Sequence, residues 1–145
     1  MIKQENLPPV TISAGDYDRL AWTATSGMDD PQDRQAAAML ANELMRATVV
    51  TERAIPRSVA TMHSRLEFRD DVTWDTRCAT LVYPDEADGE PDRISVLTPI
   101  GAALIGLREE QSITWRTSKG WRSLTLLRVL YQPHGQFIEP WREIS

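Results

Sequence analysis

Asp29 and Asp30 stand side by side between two segments of helical periodicity, at the tip of a predicted turn. Two adjacent carboxylates can hold a divalent cation against another anionic ligand. They can equally serve the chain itself. Asp30 is then an N-cap before Pro31 at the first helical position, and Asp29 adds negative charge at the positive end of the helix dipole. Arg116, Lys119 and Arg122 flank a second turn, with Trp115 and Trp121 beside them. That cluster could meet phosphate or an acidic protein surface, or form a solvated hairpin tip over a tryptophan-containing core. Cys78 lies within a predicted strand and has no histidine nearby, which reads as a buried structural thiol rather than a nucleophile. His63 and His134 are far apart and lack a ligand pattern, so both read as structural. Asp85–Asp92 holds five acids in eight residues. Their order does not match a calcium loop, and a solvated loop is the plainer reading. G-x-S-x-G, P-loop and G-x-G-x-x-G motifs do not occur. These residues point to no enzyme, no metal centre and no cofactor.

The bulk properties agree. The chain has 145 residues, 41% hydrophobic and 26% charged, the profile of a folded globular protein. Acids outnumber bases 21 to 16, for a net charge of −5, which argues against sequence-specific or coating contact with DNA. The basic side is 14 Arg and 2 Lys, a bias that suits bidentate contact with carboxylate or phosphate but also follows from genome composition. One cysteine makes no internal disulfide, so a cytoplasmic chain is expected. No apolar run approaches the roughly 18 residues of a membrane helix, and Met1–Val10 has no apolar signal core. Net charge and the lack of an apolar surface stripe favour a monomer.

The elements that must position these residues fall into two blocks. Residues 1–47 read as two helices. Ser13 and Asp16 form a capping-box-like pair, and Ile12 and Tyr17 sit at hydrophobic-staple positions. Tyr17, Leu20, Ala21 and Ala24 recur at helical spacing, and Gly27 ends the run. Asp30-Pro31 opens a second helix carrying Ala37, Leu40, Ala41, Leu44 and Thr48 on one stripe. Together they predict a short antiparallel helical hairpin, each helix roughly 20–25 Å long. Residues 48–133 read as strands: Thr48–Thr51, Ser64–Arg69, Trp74–Tyr83, Arg93–Leu97, Ile113–Thr117 and Trp121–Tyr131. Leu66 and Phe68 alternate with Arg65, Glu67 and Arg69. Thr98-Pro99 caps one short helix with Ile100, Ala103, Leu104 and Leu107 on one face and Gly106 at its end. The class is α+β, with one short helix laid on a twisted antiparallel sheet. Residues 134–145, with Phe137 and Trp141, read as a tail.

Several blocks in this second part resemble the Rnk family, bacterial regulators of nucleoside diphosphate kinase related to the GreA/GreB transcript-cleavage factors. They are Ile55-Pro56, Thr61–Phe68, Thr80–Pro84, Ser95–Leu107, Ser112–Trp115 and Tyr131–Pro133, in consistent order. The Pro99–Leu104 stretch is shared with Gre factors generally. The first 47 residues match in architecture more than in letters. The resemblance implies an FKBP-like C-terminal domain behind a helical hairpin, and docking on bacterial RNA polymerase near its secondary channel. It implies that Asp29 and Asp30 stand where Gre factors carry acidic residues that help position the polymerase magnesium, on a hairpin too short to reach that site. Thr98, Pro99, Ile100, Gly101 and Leu104 are the expected partner-binding face, with Pro99 and Gly101 exposed while Ile100 and Leu104 enter the core. Glu110-Gln111 replaces a Gly-Asp turn usual in relatives, so a different turn geometry is expected there. Three functions follow: a non-enzymatic polymerase-binding regulator that competes with Gre factors, a cleavage-promoting factor using Asp29 and Asp30, or a peptidyl-prolyl isomerase or peptide-binding module.

Overall fold

A computed structural model describes residues 7–134, so the tail residues Phe137 and Trp141 lie outside it. The helical segment is α1 (Ala14–Gly27) and α2 (Arg34–Met45). The Ser13 hydroxyl accepts the Asp16 N–H at 3.2 Å and starts α1, as the capping pattern implies. α1 and α2 run antiparallel, for the Tyr17 hydroxyl near the start of α1 donates to the Leu44 carbonyl near the end of α2. Gly27 closes α1 for another reason than the one expected. Its φ is not positive, and a Cβ there would lie 3.0 Å from Ala37 Cβ and 2.9 Å from Leu97 Cδ1. Glycine lets α1, α2 and the Leu97 segment approach, rather than supplying a left-handed cap.

The second helix also starts later than Asp30-Pro31 suggests. Asp30 Oδ1 accepts the Gln32 N–H at 2.9 Å, and the Asp30 carbonyl accepts the Asp33 N–H. The Asp side chain holds a turn, and α2 begins only at Arg34.

Two three-residue strands frame this pair: β1 (Thr11–Ser13) and β2 (Thr48–Val50), which pair in parallel. Only Thr48–Val50 is legible as a strand in the sequence. β1 is too short to show a period and exists because β2 pairs with it. Five strands form the main sheet: β3 (Arg65–Asp70), β4 (Thr76–Val82), β5 (Arg93–Ser95), β6 (Ser112–Thr117) and β7 (Gly120–Tyr131), in the order β5-β4-β3-β7-β6. The sheet is mostly antiparallel, as expected. The exception is β4–β5, a parallel pair made possible by the acidic 84–92 connection, which brings the chain back beside Thr80 so that Arg93–Ser95 runs along Thr80–Val82. Register shifts in β3 against β7 mark bulges, which add twist.

α3 (Pro99–Leu104) follows β5. Thr98 caps it by accepting the Gly101 N–H at 3.1 Å. It is shorter than the Ile100–Leu107 periodicity implies, since Gly106 (φ +78°) turns the chain and Leu107 is buried from a loop. Trp74, expected within a strand, sits in the β3–β4 turn at φ +68°.

Leu66, Phe68, Leu81, Leu104, Leu126 and Trp115 pack with Val10, Ile12, Leu20, Leu40 and Leu44 in one buried apolar cluster. The helical segment and the sheet therefore share their interior. Leu66 and Phe68 point inward as their alternation requires.

The Glu110-Gln111 turn carries a side chain where glycine is favoured. Glu110 adopts φ +71°, the left-handed conformation that glycine favours, and its N–H donates to the Leu126 carbonyl at 2.7 Å. Holding a side chain in that region costs about 1 kcal/mol. Glu110→Gly is expected to raise stability by about 0.5–1 kcal/mol, after the glycine's greater freedom in the unfolded chain is set against the relieved strain. Denaturant unfolding checks it, and a destabilised variant would contradict the account.

Candidate functional site

The acidic tip is displayed by the α1–α2 turn. Asp29 and Asp30 are both exposed. Their backbone N–H groups donate to the Ser26 and Gly27 carbonyls, which finishes α1 and aims the turn outward. At about 1.5 Å per residue, the 14 residues of α1 carry the tip about 21 Å from Ala14.

Beside this turn is a cleft of about 410 Å³ between α1 and the 84–86 turn. Trp22 lines it and is 70% exposed. Sequence reasoning passed over Trp22. The available signal was that it falls off the Tyr17–Leu20–Ala24 stripe, where a large aromatic has no core to enter. Arg19 crosses the same seam. Its guanidinium lies 3.7 Å from the Tyr83 ring centroid and donates to Asp85 Oδ1 at 3.2 Å. Tyr83 is buried, and that burial, with Asp16 nearby, pushes its phenol well above the ordinary range. Glu86 accepts the Tyr83 N–H at 3.0 Å and meets His63 Nε2 at 2.9 Å. Burial pushes the Glu86 carboxyl upward, but these partners outweigh it and hold the group below the usual carboxylate range. His63 and Glu86 thus belong to a structural seam, consistent with the reading of His63 as a satisfied histidine.

The second face lies around α3. Thr98, Pro99 and Ile100 are half-buried and line a groove of about 560 Å³ with Ile94, Trp115 and Arg122. Gly101 and Leu104 are buried. Gly101 was expected at the surface. Instead its Cα lies against the β5 exit, where a Cβ would be 2.8 Å from Val96 Cα. Glycine is needed here for close approach of α3 to the chain that precedes it. The structure thus brings Thr98, Pro99 and Ile100 together at one rim and sets Gly101 and Leu104 behind them. Asp29 and Asp30 lie apart, on the α1–α2 turn.

Of the turn cluster, Arg122 enters the groove and donates to Asp70 Oδ2. Asp70 is pushed up by burial but held below the carboxylate range by the Val72 and Thr73 N–H groups and Arg122. Arg116 instead stacks over Trp121 on the opposite face. Cys78 is exposed, not buried as its mid-strand position suggested. It pairs with Glu67 in the register that turns both away from Leu66 and Phe68.

The fold is thus a bulged, five-stranded mixed sheet with one capped helix, preceded by an antiparallel helix pair. The family model described as transcription elongation factor, GreA/GreB, C-term matches residues 55–131, so the chain belongs to the GreA/GreB family. Within that family it is similar to the "Regulator of nucleoside diphosphate kinase" of Escherichia coli K12, with 40% identity over 92 residues, 63% of this chain and 68% of that protein. It is also similar to the "Transcription elongation factor GreA" of Roseiflexus castenholzii, with 34% identity over 86 residues, 59% of this chain and 55% of that protein. Among solved structures, a GreA/GreB elongation factor from Nitrosomonas europaea superposes with a TM-score of 0.66 at 34% identity, over 86% of this chain and all of that one. Among the described residues, no helix is long and apolar enough to cross a membrane.

Proposed function

We propose that this protein is a non-enzymatic, cytoplasmic transcription regulator that docks on bacterial RNA polymerase near the secondary channel and competes there with Gre factors. The observation that carries the reading is the Thr98–Leu104 block. A capped helix offers a rigid Pro99–Ile100 rim while its Gly101–Leu104 side is locked into the core. A rim of fixed backbone with an apolar anchor loses little freedom on docking. The block lies in the GreA/GreB-matched region. In this reading residues 1–47 form a short hairpin, residues 48–133 an FKBP-like domain, and the chain acts as a monomer. No isomerase chemistry is attached to that domain, since fold alone does not carry function.

A cleavage-promoting role is a second reading, favoured by one observation: Asp29 and Asp30 are exposed at the tip. The length of α1, about 21 Å, weighs against it, because such a tip stops short of a deeply placed metal. Binding of the purified chain to core RNA polymerase, with a Gre factor as competitor, tests both. Displaceable binding without transcript cleavage on stalled complexes is expected. Cleavage that vanishes in an Asp29→Ala, Asp30→Ala double variant would replace the first reading by the second. No binding at micromolar protein would overturn both.

A further inference from the structure

β6 lies at one edge of the five-stranded sheet, with β7 on its only paired side. The ladder runs from Ser112–Thr125 to Thr117–Gly120 without a register shift. Hydrogen-bonded and non-hydrogen-bonded pairs alternate along such a ladder, and side chains come closest in the second kind. Ser112 Oγ lies 2.6 Å from Thr125 Oγ1, and Thr114 Oγ1 donates to Ser123 Oγ at 3.2 Å. These are the non-hydrogen-bonded pairs, so the backbone groups of Ser112, Thr114 and Arg116 point away from β7. Among the described residues, no backbone group pairs with them there. Proteins blunt such edges with short strands, prolines or bulges. The opposite edge, β5, has three residues and follows Pro91-Asp92. β6 has six, regular and free of proline.

A groove of about 660 Å³ borders this edge. Trp115 and Arg116 both line it. Consecutive strand residues point to opposite faces of a sheet. A groove touching both therefore runs along the edge of β6 rather than over one face. Its other wall is α2, where Met39, Asn42 and Met45 follow at helical spacing, with Leu7 beside them. Met45 is 83% exposed, a large apolar side chain left in solvent. Of the groove's two arginines, Arg46 is spent on Glu43 through two hydrogen bonds. Arg116 meets only the Trp121 ring among the described residues.

We propose that this groove takes an extended segment of the partner protein as a sixth strand, hydrogen-bonded antiparallel to the free edge of β6. Backbone pairing to an uncovered edge supplies affinity, and alternate side chains supply selectivity. Apolar side chains of the segment face Met39 and Met45. The side chains between them lie on the Arg116 face, where a carboxylate complements the unpaired guanidinium. The identity of the partner rests on the docking reading above; the strand-accepting edge does not.

The first test leaves the polymerase out. The ¹⁵N-labelled full chain is titrated at millimolar concentration with an acetylated, amidated pentapeptide, Glu-Val-Glu-Val-Glu. The Thr114 and Arg116 amides are expected to shift and to exchange more slowly, while those of Ile113 and Trp115, already bonded to β7, move several-fold less. In this register the glutamate N–H groups face β6. N-methylation at the glutamates should abolish the response, and N-methylation at the valines should spare it. No response, or equal responses to the two methylated peptides, overturns the proposal. So does slow Thr114 and Arg116 exchange in the free chain, which would assign the edge to residues 1–6. A shift with protein concentration alone would assign it to a second copy, and overturns it too. The second test is affinity for core polymerase. Thr114→Pro deletes an outward N–H, which an edge strand tolerates. Binding is expected to weaken about tenfold, the scale of one lost hydrogen bond. Met45→Lys, an exposed change that spares the fold, should weaken it in the same direction. Wild-type affinity in both variants overturns the proposal. If the wild-type chain itself fails to bind polymerase, the docking reading fails, and the peptide titration alone decides whether the edge accepts a strand.

Discussion

Gly101→Ala is expected to destabilise the fold by about 3 kcal/mol or more, at the upper end for overpacking a tight contact. Helix propensity alone gives the opposite sign, because alanine is favoured over glycine inside a helix by about 1 kcal/mol. The contact decides between them. A Cβ on Gly101 would lie 2.8 Å from both the Ser95 carbonyl carbon and Val96 Cα. These are backbone atoms, and they cannot retreat easily. The Ser95 carbonyl accepts the Thr98 hydroxyl at 2.7 Å, and the Val96 N–H donates to the Val82 carbonyl at 2.8 Å. From the other side, the Gly101 N–H is held by the Thr98 hydroxyl. The added methyl must therefore push α3 off its cap or break the Val96–Val82 link. Because α3 carries Pro99 and Ile100, partner binding should fall with stability. Thermal and denaturant unfolding give the measurement. A variant as stable as the parent, or more so, would show that the close approach is not required.

Leu40→Ala should have the second largest effect, a loss of about 3 kcal/mol, within the range for emptying a fully enclosed leucine site. That corresponds to a drop in Tm of about 10 °C for a chain of this size. Leu40 has no exposed surface and belongs to the same apolar cluster as Leu66, Phe68 and Leu104. The expected result goes beyond the magnitude. Since that cluster spans the helices and the sheet, the loss should reach the sheet as well. Amide exchange at Leu66 and Phe68 should accelerate along with exchange in α2, in one cooperative transition by circular dichroism. Exchange that quickens in the helices alone would mean that the helical segment unfolds as a separate unit.

Much of this protein was legible in its letters because the signals were local. The Ser13 cap, the Leu66–Phe68 alternation, the Thr98 cap and the β6–β7 turn each depend on neighbours within a few residues, where periodicity and capping chemistry operate. The family blocks from Ile55 to Pro133 belong to the same kind of signal. The sequence by itself therefore determined the α+β class, the two-part element order and the relationship to GreA/GreB proteins.

Other features depended on partners far along the chain, and only the tertiary structure decided them. Gly27 reads as a helix end, but it is glycine because the Leu97 side chain and Ala37 come too close for a Cβ. β1 forms because β2 lies beside it. Glu110 holds a left-handed turn that its own type disfavours, tied by the Leu126 carbonyl across the sheet. Cys78 is exposed because the pairing of β3 with β4 sets which face it takes. Local chemistry sets what each segment can be. Which positions must be glycine and which faces stay exposed is settled only when distant segments compete for the same space.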